Sequence, residues 1–586
     1  MTISIVIPTY NRRQMLMRTL PTVFEQDLPK DEYEVVVVVD GSDDGTAEWL
    51  RGLRPPCALR VLEQPNQGMA VARNAGVNAT RGRLLLFLDD DLLCSPTLLR
   101  EHVAAHQNAQ VAAVAGLVLI APQSPDSLVT EWLRVYVDRF KSRMEREPVL
   151  RWLEDFSLEA NISLPREVFL ACGGYDPRFT REKENLELGL RLWKRGIQFR
   201  FLPTAITHHL YLRPHRDIVG TRTLHEGKNL VLICRLYPEF RPRSPLAWLV
   251  AGSSWRRLFR QLAVRLPVSP DPILSLLFWA AEKLRGVSSI RRAGIRLLQR
   301  RYSLALFRGA LHEIGSWKAF QAEFGRQLPV LLYHHVGPQR PGALPELTIS
   351  PKEFERQVGW LAHHGYVGIR PQDWLAWCRQ GTPLPEKPVL LTFDDAYADI
   401  AEYALPILRQ YGFGALVFVV TRRVGATNTW DEAAGYGTLQ LMTSSQIREW
   451  AAQGIEFGSH TRTHPNLTEL SPQELRSEIA GSADDLTALL GTRVASFAYT
   501  YGLYNQAAVE SAQETFDLAF TCEKGLNTLR TEPHLLRRTQ VIPGESLLGF
   551  ACRLRWGYNP IDRLRAWLRP RTRLRGVAEF LLNRKS

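Results

Sequence analysis

Two sets of side chains able to hold a divalent cation stand far apart in this 586-residue chain, and they suit different reactions. In the later set, Thr392-Phe393-Asp394-Asp395 closes the apolar run Val389-Leu390-Leu391, and His460-Thr461-Arg462-Thr463-His464 follows downstream. Two neutral imidazoles plus one carboxylate are a usual ligand set for a zinc-type hydrolytic centre that keeps positions open for water. The spare carboxylate is then free to act as a base. The earlier set is Asp89-Asp90-Asp91, ending the run Leu84-Leu85-Leu86-Phe87-Leu88. Carboxylates at the end of a buried strand suit a hard divalent ion that also holds phosphate oxygens. Two catalytic centres are therefore expected in one chain.

Elements of matching type must position these residues. Ile3–Ile7, Glu34–Val39, Arg60–Leu62, Arg83–Leu88 and Val111–Val118 read as strands, with helices begun after Asn11, Thr46, Gly68 and Pro96. Strand–helix alternation predicts a mostly parallel sheet with ligands at the strands' carboxyl ends. Strands recur at Pro329–Tyr333, Val389–Thr392, Ala415–Val420, Glu456–Ser459 and Ser496–Tyr499, with helices between, as an α/β barrel requires. Boundaries are expected at 1–240 for the first catalytic domain, 241–325 for a helical basic connector, 326–550 for the second domain and 551–586 for a basic tail.

Composition is that of a globular protein, 45% hydrophobic and 23% charged, and no uninterrupted apolar run reaches the ~18 residues needed to span a bilayer. The chain opens directly as a strand without a basic leader. Its seven cysteines form no C-x-x-C pair, so reduced thiols and a cytoplasmic setting are expected. The net charge of +13 is unevenly spread: −2 over 1–210, +14 over 211–330, −7 over 331–550 and +8 over 551–586. Trp255–Arg260 and Arg291–Arg301 mix Arg with Leu, Phe and Trp at helical spacing. Two readings stay open: helices lying on an anionic membrane surface, or a solvated basic face. Neither flanking region carries a nucleic-acid reader motif, so no nucleic-acid partner is expected.

Pro8-Thr9-Tyr10-Asn11-Arg12, Val39-Asp40-Gly41-Ser42-Asp43-Asp44-Gly45-Thr46 and Asn66-Gln67-Gly68 through Ala72-Arg73-Asn74 precede the acidic triplet. In that order they resemble family 2 glycosyltransferases, which implies a Rossmann-like GT-A fold over roughly residues 1–215. The resemblance implies that Asp40 meets the nucleotide base, with Thr9, Arg73 and Asp90 completing the nucleotide-sugar pocket. Asp89 and Asp91 would be the D-x-D pair holding Mn or Mg on the diphosphate. His208 (or His209) stands where related enzymes place a late metal-site histidine. Gly173-Gly174-Tyr175-Asp176 and Glu184-Asn185-Leu186-Glu187 match the acceptor side. Many inverting members carry an Asp base where this chain has Asn185, and an amide cannot take that proton. Glu184 or Glu187 would then be the base. The Glu-Asn-x-Glu variant also resembles retaining polypeptide N-acetylgalactosaminyltransferases, which need no such base, so inversion is an expectation from the overall likeness and not from these residues.

Thr392-Phe393-Asp394-Asp395, His460–His464, Phe497-Ala498-Tyr499-Thr500-Tyr501-Gly502 and the opening Tyr333-His334-His335-Val336-Gly337 resemble the polysaccharide deacetylases of carbohydrate esterase family 4. That likeness implies a distorted (β/α) barrel and hydrolysis of an N-acetyl group by metal-activated water. Asp394 would be the base, Asp395, His460 and His464 the ligands of zinc or a similar metal, and Tyr499 or a nearby backbone N–H the oxyanion donor. Two departures stand out: Thr500 replaces a common proline, and Ala498 replaces an arginine that tunes the base in other members. No Leu-x-His is evident for the leaving-group acid, although His534 lies in the right region.

The combined expectation is a bifunctional enzyme. It transfers a sugar, N-acetylglucosamine from UDP-N-acetylglucosamine, to a glycan or lipid-linked acceptor, and removes an N-acetyl group. The donor is inferred from the coupling, since a deacetylase partner needs an N-acetylhexosamine. It would work in the cytoplasm, at the membrane face if the basic connector docks there. The alternative is a metal-dependent N-deacetylase whose first domain only binds a nucleotide sugar or glycan.

Overall fold

Val35–Val39 are apolar on both faces, as a strand covered by helices on each side must be. The computed structural model describes residues 1–107, 113–144, 149–150, 161–197, 199–212, 219–249, 262, 271–339, 345–430 and 438–560. They group into two compact units: Met1–Tyr237 with Leu258–Trp317, and Pro238–Arg257 with Lys318–Ser586.

The first unit is built on a nine-stranded sheet. Strands β1 (Ile3–Thr9), β2 (Tyr33–Asp40), β3 (Ala58–Gln64) and β4 (Leu84–Phe87) run parallel in the order β3-β2-β1-β4. The sheet continues with β5 (Leu92–Cys94), β6 (Ala113–Ile120), β7 (Val149–Leu150), β8 (Ile162–Pro165) and β9 (Phe199–His209). Of these, β8 is antiparallel to both β4 and β6, and β5 is antiparallel to β9. Because β2 and β4 flank β1, the chain reverses direction across the sheet there and leaves a crevice at the strands' carboxyl ends. Thr9, Asp40 and the acidic triplet all sit at those ends. Every residue of β1, β2 and β4 is buried, and each fully buried Val or Leu contributes roughly 1.5–3 kcal/mol.

The expected connector, 241–325, is not one piece. Its described residues 271–317 pack onto the first unit, while 238–249 and everything from Lys318 belong to the second. The cause is the crossing of helices Thr221–Leu236 and Ser288–Ile314. A Cβ at Gly227 would lie 1.9 Å from the Leu306 carbonyl oxygen, and one at Gly309 would lie 2.0 Å from that of Leu224. The two backbones touch, so the 27-residue helix cannot be a free spacer. Gly309→Ala must push them apart. We expect a loss of roughly 1–3 kcal/mol, measurable by urea denaturation followed by circular dichroism. The basic run 255–260 and the tail beyond residue 560 lie outside the described residues.

The second unit carries an eight-stranded parallel sheet. Its strands are β10 (Val330–Tyr333), β13 (Val367–Gly368), β14 (Pro388–Phe393), β15 (Leu416–Val419), β16 (Glu456–Ser459), β17 (Ser496–Ala498), β18 (Leu518–Phe520) and β19 (Thr539–Gln540). A separate pair, β11 (His335–Val336) and β12 (Thr348–Ile349), stands beside it. One segment closes the curve. Leu536 bridges Phe520 of β18, and three residues later β19 pairs with β10. This is the α/β arrangement expected for a distorted barrel.

Candidate active sites

In the second unit, strand ends and tight turns converge on one buried cluster. Asp394 and Asp395 follow β14, while His460 and His464 follow β16. One ligand atom each from Asp395, His460 and His464 lies within 4.8 Å of the others. Asp395 Oδ1 stands 3.3 Å from His464 Nε2 and 3.7 Å from His460 Nε2, and that oxygen is buried with no hydrogen-bond partner. An orphaned carboxylate oxygen facing two imidazoles is what a missing cation would leave, so the residues present fit a divalent metal. His460 Nδ1 lies 2.8 Å from the Ala498 carbonyl, which fixes the ring and turns Nε2 toward Asp395. Burial pushes the His460 imidazolium down to about 4, so the ring is neutral and able to ligate.

Asp394 stands beside this trio, 4.0 Å from His460 Nε2. Both its oxygens accept from Arg538, at 2.5 and 2.9 Å. Burial alone would raise this carboxyl, but the guanidinium outweighs it and holds the pKa below the ordinary value. Arg538 is wholly buried, donates Nε to the Thr521 carbonyl, and lies over Phe418. It follows the closing bridge at Leu536 and directly precedes β19. It supplies Asp394 with a positive charge that Ala498 cannot, and nothing local in the sequence marks it. The vacancy at 498 was the one available signal: a buried carboxylate base needs a cation from somewhere. His334, at the end of β10, was noted in the sequence without a role. Its Nδ1 is buried and unpartnered, and both Asp394 and Asp395 act on its charge.

Backbone strain gathers here. Asp395, Ala396, Thr461, His464 and Tyr501 all have φ between 55° and 68°, and none is glycine. Such residues cost on the order of 1–3 kcal/mol each and persist where surrounding contacts over-determine them. The Thr500 hydroxyl, in the place of the usual proline, donates to the Pro465 carbonyl at 2.6 Å and ties this loop to the histidine turn. Trp430 stacks on His464 at 4.5 Å, with Tyr501 edge-on to the same ring.

Tyr499 is a correction. Its hydroxyl donates to the His534 carbonyl, its N–H donates to Phe520, and it is fully buried in the core. Neither group is free for an oxyanion. His534 is occupied too, its ring 2.9 Å from the Phe516 carbonyl.

In the first unit, a cleft of about 500 Å³ is lined by Thr9, Asp40, Asn66, Asp89, Asp90 and Arg222, among others. Asp40 accepts from Gln64 and the Gln67 N–H on one oxygen and from the Gly68 N–H on the other, so it also shapes the loop. Arg73, wholly buried, clamps Asp89 and Glu184 with two bonds of 2.6 Å. Arg12 bridges Asp90 and Asp91, at 2.6 and 2.9 Å, and Thr9 donates to Asp90. Burial pushes Asp90 up to about 7, with Arg12 opposing and Asp91 adding to the rise. Two carboxylates flanked by an imidazole suit a hard cation in kind, although Arg12 supplies the positive charge at Asp91 here. Among the described residues this unit has no three such ligand atoms within 4.8 Å.

Two predicted residues need revising. His209, not His208, meets Asp91, with its Nε2 3.2 Å from Oδ2. Neighbours on an extended strand face opposite sides, so only one of the pair can reach the triplet. Glu187 has both oxygens taken by Arg191, and one of them also accepts from the Tyr237 hydroxyl, which leaves it no free oxygen for a substrate proton. Glu184 differs: one oxygen meets Arg73, and the other is buried without a partner. Asn185 accepts from the Tyr175 hydroxyl at 2.9 Å.

Comparison with known proteins agrees with this division. The profile of Glycosyl transferase family 2 matches residues 4–175, and that of Polysaccharide deacetylase matches 381–516. YxkH of Bacillus subtilis (strain 168), named as a polysaccharide deacetylase, is 30% identical over 221 residues, which is 38% of this chain and 73% of that protein. Validoxylamine A glucosyltransferase of Streptomyces hygroscopicus subsp. jinggangensis (strain 5008) is 34% identical over 33% of this chain. Poly-beta-1,6-N-acetyl-D-glucosamine N-deacetylase of Staphylococcus aureus (strain MRSA252) is 28% identical over 27%. The chain spans 52% and 55% of these last two proteins, about half of each. Through its second unit the chain belongs to the polysaccharide deacetylase family, and it carries a family 2 glycosyltransferase domain in its first.

Proposed function

We propose that the chain is a bifunctional enzyme that transfers N-acetylglucosamine from UDP-N-acetylglucosamine to a glycan or lipid-linked acceptor and removes an N-acetyl group from an amino sugar. The observation that carries the hydrolytic half is the buried trio Asp395, His460 and His464 with the ionised Asp394 beside it. A divalent cation on that trio, zinc or similar, would supply the charge that activates water and polarises the acetamide carbonyl. Asp394 takes the proton from the attacking water, and Arg538 keeps it ionised for that task. Asp394 then hands that proton on to the departing amine. The products are acetate and a free amine.

In the transferase half, Asp89 and Asp91 would hold Mn or Mg on the diphosphate, with Arg12 and Arg73 orienting the carboxylates. Glu184 is the acid we assign to the acceptor hydroxyl, because its second oxygen is unpartnered while Glu187 is occupied. That free oxygen favours a working transferase over a first domain that only binds.

Mass spectrometry of products from UDP-sugars and oligosaccharide or lipid acceptors tests both halves at once. The expected product has gained a hexosamine. Gain of an N-acetylhexosamine alone removes the hydrolytic half, and acetate release without any sugar transfer leaves the binding-module reading.

A further inference from the structure

Helix Asp271–Lys283 presents an apolar surface on both sides. On its inner side, Phe278 and Ala281 pack with Leu128, Val129 and Leu298 of the first unit. Its outer side carries Ile273, Leu276, Leu277 and Trp279, exposed by 68, 63, 53 and 57%, and the turn beyond adds Leu284 and Val287, each more than half exposed. A helix apolar all round is either wholly covered or in contact with lipid. Soluble monomers seldom leave so continuous an apolar ridge in water. The position is fixed from behind, since Arg301 donates to Ser275 and Glu282 accepts from the Leu128 N–H. The ridge is thus a presented surface, not a frayed end.

The next helix, Ser288–Ile314, begins where the ridge stops and carries Arg292, Arg296 and Arg300 one turn apart, all exposed. Among the described residues, none of these three has an ion-pair partner. Exposed guanidiniums one turn apart on the helix that follows exposed Leu, Ile and Trp complement anionic headgroups over acyl chains: the apolar side chains would enter the boundary layer and the long arginines would reach the phosphates. A second copy of the chain fits less well, because an isologous contact would set like arginine rows against each other. Among the described residues no helix is long and apolar enough to cross a membrane, so contact would be in the interfacial plane.

We propose that the outer face of helix Asp271–Lys283, together with the exposed Arg292, Arg296 and Arg300 of the helix that follows it, is a docking surface for an anionic lipid bilayer. The test is flotation of the full-length chain with phosphatidylcholine vesicles and with vesicles containing phosphatidylglycerol, at low and at physiological salt. Binding is expected only to the anionic vesicles and should weaken with salt. The double change Leu276→Ser with Leu277→Ser should lower binding about tenfold or more, as should Arg292→Gln, Arg296→Gln and Arg300→Gln together. These residues are exposed, so both variants should melt where the parent does. As a second readout, lipids brominated near the headgroup should quench fluorescence of the parent, with less quenching in Trp279→Phe. Absence of binding at low salt, or binding indifferent to the leucine pair, overturns the proposal. So does light scattering that shows a dimer which the leucine variant turns into a monomer.

Discussion

Asp394→Asn should abolish acetate release, by roughly 10²–10⁴-fold, while UDP release from the donor continues. The amide keeps the shape but cannot take a proton from water, and the metal trio does not include it. Arg538→Met makes the complementary prediction. The guanidinium holds the Asp394 carboxyl below its ordinary value, so its loss raises that pKa. The acid limb of the kcat/KM profile, where the base becomes protonated, should then move to higher pH. A variant that lost turnover without any shift in that limb would make Arg538 merely structural. Removing either member leaves a buried charge unpaired, which costs roughly 3–5 kcal/mol. Melting curves must therefore accompany the kinetics, and activity should be read well below the lowered transition.

The second large effect is expected at the acidic triplet. Asp91→Ala should lower UDP release on the order of 10²–10³-fold, as loss of a preorganised electrostatic contact does, and should leave acetate release intact. Removing Asp91 also frees Arg12 and His209, which now share one of its oxygens. Any residual activity would reflect Asp89, which Arg73 holds on the other side. Unchanged turnover in Asp91→Ala would sink the assignment of the metal to this triplet. Glu184→Gln separates chemistry from binding. If Glu184 is the base, kcat falls while KM for the donor holds, because the change removes the proton acceptor and leaves the donor contacts in place.

What the sequence made legible was local. The runs Val35–Val39 and Leu84–Leu88 are continuous and apolar with Asp40 and Asp89 directly after them, and Asp394 follows Val389–Phe393, so both acidic motifs could be placed at strand ends. His460 and His464 lie four residues apart on one turn and were equally plain. What stayed hidden depends on long-range pairing. Arg538 reaches Asp394 across 144 positions, through a two-residue strand too short to carry a periodic signal. Choosing His209 over His208 needed the register of β9 against β5, which pairs His209 with Leu92. Glu187 reads as a free acid in the sequence because its partner, the Tyr237 hydroxyl, comes fifty residues on. Which unit each part of the connector packs on is not legible in its charge pattern, because Gly227 and Gly309 permit a backbone contact that composition does not report.

The strand that closes the second barrel is preceded by the arginine that tunes the base, and these two facts have one temporal consequence. During synthesis the aspartates emerge first and both histidines next, so the full cation trio exists in a nascent chain that still lacks Arg538. Its carboxylate base therefore stays unbraced until β19 docks beside β10. Closing the barrel and bracing that carboxylate are thus a single event.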